Sequence, residues 1–126
     1  MSTYNSVSIV IPMRNESNHI KKCLDSLLCQ DLIGSDIEII VVDGDSEDNS
    51  YEIANETLLN NSNFKILHNP KKITPISLNI GVKASRGDIV IILGAHSYVA
   101  KDFVSKNIHF LNNFYFEYLS HQQYLM

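Results

Sequence analysis

The sequence predicts an α/β fold in which a parallel sheet carries helices on both faces. Four short runs rich in β-branched and aromatic residues, Val7–Ile11, Ile37–Val42, Phe64–His68 and Ile89–Leu93, alternate with stretches whose apolar residues recur at helical spacing. The second and fourth runs have almost no polar alternation, which fits strands covered on both faces. Enough chain separates each run from the next for a helical crossover, and right-handed crossovers between successive strands make the sheet parallel.

Val7-Ser8-Ile9-Val10-Ile11 forms the first strand, and Pro12, which has no amide donor, marks its end. Ser17 serves as N-cap of a first helix that runs to about Gln30, with Ile20, Cys23, Leu24, Leu27 and Leu28 as its apolar stripe. Gly34 and Ser35 turn the chain into the second strand, after which Ser46 or Asp48 caps a less regular helix through Tyr51, Ala54 and Leu58. Asn60-Asn61-Ser62-Asn63 stops that helix ahead of the third strand. Thr74 as N-cap and Pro75 at the first helical position open the third helix, whose stripe is Ile76, Ile80 and Ala84 and which ends near Arg86-Gly87. The fourth strand leads to a helix with Val104, Ile108 and Leu111 on one face. The boundaries expected are one domain over residues 1–112 and an aromatic, then polar, tail over 113–126.

The chain has 126 residues, enough for one domain that buries roughly two thirds of its unfolded surface. A hydrophobic share of 44% and a net charge of −4 argue against disorder and against nucleic-acid partners. Cys23 and Cys29 sit six residues apart in one helix, pointing about 120° away from each other, so they read as free thiols in a reducing compartment. The polar amino terminus shows no secretory signal, and no apolar run approaches the roughly 20 residues that span a bilayer. A cytoplasmic protein is expected.

In a sheet wound this way every strand exit falls on one edge, the edge where ligands collect. Here the exits are Pro12–Glu16, Asp43–Asp48, Asn69–Lys72 and Gly94–Ser97. The first contains no glycine, which excludes a dinucleotide fingerprint and a phosphate loop. Asp43-Gly44-Asp45-Ser46 allows an aspartate-based phosphatase, although in that chemistry the motif follows the first strand. The same acids also suit a plain helix start.

Three stretches together carry more information than any one of them. Ser8-Ile9-Val10-Ile11-Pro12-Met13-Arg14-Asn15-Glu16, Ile39-Ile40-Val41-Val42-Asp43-Gly44-Asp45-Ser46 and Asn79-Ile80-Gly81-Val82-Lys83-Ala84-Ser85-Arg86-Gly87-Asp88 resemble, in order and spacing, the family 2 glycosyltransferases, from about Val7 to Leu111. The resemblance implies a Rossmann-like sheet of GT-A type. It implies inverting transfer of a sugar from a UDP- or GDP-linked donor to a saccharide or lipid-linked acceptor, in polysaccharide biosynthesis, in the cytoplasm or peripheral to its membrane. It also implies residue roles. Pro12, Asn15 and Glu16 would lie beside the base and ribose, Asp43 would accept a hydrogen bond from the base, and Asp45 would support it. Asn79 and Gly81 would line the sugar-nucleotide pocket. A carboxylate suits the base because it only accepts, and uracil and guanine offer ring N–H donors. Arg14, Lys71 and Lys72 read equally as phosphate neutralisers or solvated charges.

Two departures stand out. Family members usually place an Asp-x-Asp-like motif after the fourth strand to hold a divalent metal, magnesium or manganese, and this sequence has Gly94-Ala95-His96 there. His96 is expected to ligate a softer ion such as manganese or to bond the diphosphate directly. The family's general base belongs to a later half of the domain that this sequence does not reach, so no catalytic residue is assigned and the domain reads as truncated. A catalytically inactive fragment or interaction module is the competing reading. Truncation would also leave Ile89–Leu93 near an unpaired edge, to be covered by the tail over Phe110–Leu125 or by a second copy of the chain in a homo-oligomer.

Overall fold

The structure, a computed structural model, describes residues 4–31, 36–61 and 63–120, with 114–120 by backbone alone. Strands and helices alternate as β1 (Ser6–Met13), α1 (Ile20–Leu28), β2 (Asp36–Asp43), α2 (Ser50–Leu58), β3 (Phe64–His68), α3 (Thr74–Ala84), β4 (Ile89–Ile92) and α4 (Phe103–Ser120). The strands form one parallel sheet in the order β3-β2-β1-β4. β1 and β2 are central and therefore the most buried. β3 and β4 flank them and are shorter.

The period-two alternation of the strands divides the core. Val7, Ile9, Ile11, Ile39, Val41, Ile89 and Ile91 face α1, α2 and α4, packing against Ile20, Leu24, Leu27, Ala54, Leu58, Val104 and Ile108. Val10, Ile40 and Val42 face α3, where Ile80 and Ala84 meet them. Most of these side chains have lost all contact with water, each contributing about 1.5–3 kcal/mol of burial. Helices therefore cover both faces, as expected. Among the described residues no helix is long and apolar enough to cross a membrane.

Several boundaries differ from expectation for physical reasons. Pro12 lies inside β1 and pairs with Val42. Along β1 the peptide groups alternate between neighbours: Val10 offers its carbonyl to Leu93 after β4, and Met13 offers its own to Gly44 after β2. Pro12 shares the parity of Val10, so its missing donor points past the end of β4, where no rung is lost. Ser17 does not cap α1; the chain first makes a turn over residues 17–19, His19 takes the cap position, and the Ser17 amide donates to Asp48. Ile73, not Thr74, precedes α3, with proline still in its first turn. Of the expected α2 stripe, Ala54 and Leu58 are buried and Tyr51 is exposed.

The turn expected at Gly34 and Ser35, Ser62 and the polar ending 121–126 lie outside the described residues. α4 continues through residue 113 to Ser120. Its Asn112 side chain brackets Tyr4, accepting from the amide at 2.7 Å and donating to the carbonyl at 3.0 Å, which ties α4 to the start of β1. Cys23 is buried and Cys29 exposed, both free.

On the α3 face a buried carboxylate anchors the end of the sheet away from the strand exits. Glu38 accepts from Ser8 Oγ at 2.7 Å and the Arg86 amide at 3.1 Å, and pairs with Lys65 Nζ at 3.2 Å. Lys65 also donates to the Ala84 carbonyl, serving the last turn of α3. Burial alone would raise the Glu38 carboxyl, but the bonds from Ser8, Arg86 and Lys65, with the Lys65 charge, outweigh it and hold the group below its usual value.

A carboxyl depressed in the fold contributes stability that is present in full above its unfolded value of 4.5 and is lost as pH falls through the lower folded value. Thermal melts should therefore show a falling midpoint below pH 4.5. Glu38→Gln is expected to melt earlier at neutral pH and with a shallower acid slope. Parallel slopes for the two proteins would assign the acid sensitivity elsewhere.

Candidate functional site

Three strand exits each place a non-glycine residue in the left-handed region: Asn15 (φ 53°), Asp45 (φ 60°) and Lys72 (φ 71°). Such conformations cost roughly 1–3 kcal/mol each and persist where the surroundings over-determine them. Here the surroundings are the neighbouring exits. Arg14 Nη1 donates to the carbonyls of Gly44 and Asp45, both at 2.8 Å, and Nη2 pairs with Glu47 at 3.3 Å. The Asn15 amide donates to Ser46 Oγ, and the Glu47 amide returns a bond to Asn15 Oδ1. The Glu16 amide donates to Ser50 Oγ at 2.7 Å.

Asp43 ends β2 nine-tenths buried and accepts from Ser46, amide and hydroxyl, at Oδ1. Asp48 receives bonds from Ser50 and Ser17. Its slight burial would raise the carboxyl, yet these bonds hold it below the usual range. Asn69 is wholly buried, donating to the Ile73 carbonyl and Ser77 Oγ and accepting from the Lys71 amide, so it shapes the turn that leads into α3. A built Cβ on Gly44 would stand 2.9 Å from the Lys72 carbonyl, so glycine permits the second and third exits to touch.

The exits enclose a cleft of about 270 Å³ lined by Pro12, Met13, Arg14, Glu16, Lys72, Thr74, Ser77, Gly94, Ala95 and His96. Across its mouth the half-buried Glu16 carboxylate lies between two imidazoles, His96 Nδ1 3.2 Å from Oε2 and His19 Nδ1 3.3 Å from Oε1. A carboxylate only accepts, so in the His96 contact the ring donates from Nδ1. Beneath the cleft the Cys23 thiol contacts the Gly94 carbonyl; burial, aided by the Glu16 charge, pushes it up to about 11 and keeps it protonated at neutral pH.

Among the sequence candidates the cleft therefore gathers Pro12, Glu16 and His96, together with the ambiguous cations Arg14 and Lys72. Asn15 and Asp45 lie beside it as exposed turn residues, and Asp43 stands at its margin in register with the lining residue Met13. Asn79 is exposed on α3, and Gly81 is buried against Val10; neither lines the cleft. His19, Asn69 and Ser77 were not legible as site residues. His19 follows Glu16 at helical spacing, and Asn69 precedes a proline at a strand exit, the signals available for them.

Gly94 supplies no side chain, and among the described residues no three His, Cys, Asp or Glu groups stand where they could share an ion.

The sequence profile of Glycosyl transferase family 2 matches residues 8–120. A dolichyl N-acetyl-alpha-D-glucosaminyl phosphate 3-beta-D-2,3-diacetamido-2,3-dideoxy-beta-D-glucuronosyltransferase from Methanococcus voltae is 39% identical over 106 residues, covering 82% of this chain and 33% of that protein. S. aureus TarS 1-349, solved with UDP-GlcNAc, superposes with a TM-score of 0.79 at 24% identity, over 87% of this chain and 32% of its own. The mannosyltransferase PcManGT from Pyrobaculum calidifontis, solved with GDP-Man and Mn2+, gives a TM-score of 0.79 at 22% identity, over 87% of this chain and 33% of its own. The chain thus spans about a third of the length of the proteins it matches.

The contact of Gly81 sets an expectation. Its built Cβ would stand 2.3 Å from Val10 Cγ1, in the fully buried core. Alanine in a helix gains about 0.5–1 kcal/mol over glycine, but overpacking a core costs about 1–3 kcal/mol, and at this distance the clash wins. Gly81→Ala should lower the melting midpoint, by roughly 1–2 kcal/mol of stability. A midpoint at or above wild type would show that α3 does not press on β1 here.

Proposed function

This chain belongs to glycosyl transferase family 2, and on that premise we propose that its strand-exit edge receives the nucleotide-diphospho part of a sugar donor. The observation that carries the reading is a cleft lined by residues of the first, third and fourth exits, with the acidic exit of β2 bonded to its first-exit wall through Arg14. Asp43, Pro12 and Glu16 take the nucleoside end, while Asn15 and Asp45 shape the loops that hold them. Lys72 and His96 face the diphosphate, whose negative charge grows as the bond to the sugar breaks.

UDP-GlcNAc in one structural neighbour and GDP-Man in another support a nucleotide sugar as ligand. The acceptor is proposed to be a saccharide or a lipid-linked saccharide, the class that the name of the Methanococcus voltae relative describes. Inverting transfer is part of the same proposal, to be read from the anomeric configuration of the product by NMR. The two unpaired cysteines support a reducing, cytoplasmic setting.

Calorimetry of the chain with UDP, GDP, UDP-GlcNAc and GDP-mannose is expected to give a Kd below about 1 mM for one base series. Asp43→Ala should weaken it about tenfold or more. No binding in any titration overturns the reading. A binding module without turnover is the second reading, favoured by Gly94; donor hydrolysis or transfer that disappears in Asp43→Ala rejects it.

The exit after β4 has its own test. A Cβ built on Gly94 meets nothing nearer than Ser97 Oγ at 3.5 Å, so the backbone there accepts a side chain without a clash at its first carbon. In Gly94→Asp, manganese should tighten nucleotide binding several-fold more than in wild type. Equal manganese responses would remove this exit from the diphosphate end of the site.

A further inference from the structure

We infer that Arg14 is a positioning residue: its guanidinium holds the acidic exit of β2 in the shape that presents Asp43 to the nucleoside, an inference that rests on the donor-binding reading. Asp45 occupies the left-handed region at φ 60°, which aspartate visits as a single residue when local hydrogen bonds support it. Its other neighbour does little for it. Lys72 Nζ stands 3.9 Å away with both side chains about half exposed, a weak and solvated pair. Arg14 instead grips the backbone on both sides of the turn, donating from one nitrogen to Gly44 O and Asp45 O at 2.8 Å each. Its second terminal nitrogen is held by Glu47.

The grip propagates in one direction. With the Gly44–Asp45 segment held, Ser46 folds back on Asp43, placing its hydroxyl 2.6 Å and its amide 3.2 Å from Oδ1. Among the described residues these are the hydrogen bonds to the Asp43 carboxylate, and they leave Oδ2 as its remaining acceptor. The following amide, that of Glu47, reaches back to Asn15 Oδ1, next to Arg14 in the chain. Arg14 and Asn15 thus lock the second exit from the first. A planar guanidinium serves two carbonyls and a carboxylate at once; a lysine ammonium keeps the charge but not that geometry.

Arg14→Lys therefore separates positioning from charge. Backbone amide exchange and calorimetry would be run on wild type, Arg14→Lys and Arg14→Ala, with UDP and GDP as probes. In both variants the Ser46 and Glu47 amides should exchange at least about tenfold faster, while Ile40, in the centre of β2, stays as slow as in wild type and reports an intact sheet. Nucleotide affinity should fall about tenfold, by as much in Arg14→Lys as in Arg14→Ala. Unchanged exchange at Ser46 and Glu47 overturns the inference, and so does wild-type affinity in Arg14→Lys, which would leave Arg14 only a phosphate cation. A wild-type chain that binds neither nucleotide overturns the donor reading and the functional half of this inference, and the exchange result still decides whether Arg14 holds the turn.

Discussion

The Gly44 amide donates to the Met13 carbonyl at 2.8 Å, the last rung between the two central strands, and the site depends on where that rung falls. It sets Met13 beside Asp43, so both strands leave the sheet at one level and their loops run side by side. A one-residue slip of a parallel pair would turn Asp43 to the opposite face and send Arg14 away from the β2 exit. The third exit joins because Gly44 has no side chain where the Lys72 carbonyl passes. The fourth joins through the rung from Leu93 to Val10, which brings Gly94 and His96 over Glu16.

Polar groups lock the sheet at its two ends by different means. Near the strand starts, a buried carboxylate with a lysine, a serine and a backbone amide holds the Arg86–Gly87 turn against β1. The bonds there are satisfied within the protein, as burial demands. At the exits the bonds run from loop to loop, leave the turn residues in left-handed conformations, and keep acids and cations exposed enough to meet a ligand. α3, tied at its last turn by Lys65, carries Thr74 and Ser77 at its other end into the cleft.

The element order was readable because each strand is a run of Val and Ile and each helix carries an apolar stripe, signals that burial imposes on the sequence. The caps were less readable. Ser17, Thr74 and Ser46 have the right chemistry for helix starts, but Ser46 is taken by Asp43, the Ser17 amide by Asp48, and Thr74 falls inside its helix. Pro12 misled because a proline ends a strand only when its missing amide was needed, and which neighbour a peptide faces is a property of the sheet. Pro12, Glu16 and His96 were legible as neighbours around one cleft by lying on strand exits. The bonding of Asn15 and the packing of Gly81 against Val10 were not, since both depend on partners distant in sequence.

By itself the sequence determined the alternation of strands and helices, the parallel sheet, the edge at which chemistry collects and the family. The first three follow from local periodicity and from the handedness of crossovers, which one chain carries in its residue order, and the family from the resemblance of three motif stretches. Only the tertiary structure decided that Glu16 lies between two imidazoles, that Arg14 holds Gly44 and Asp45, and that Asn69 and Ser77 shape the turn and the cleft. Each of these depends on register and loop conformation, set by contacts between residues up to 80 positions apart, and no local pattern encodes such a distance.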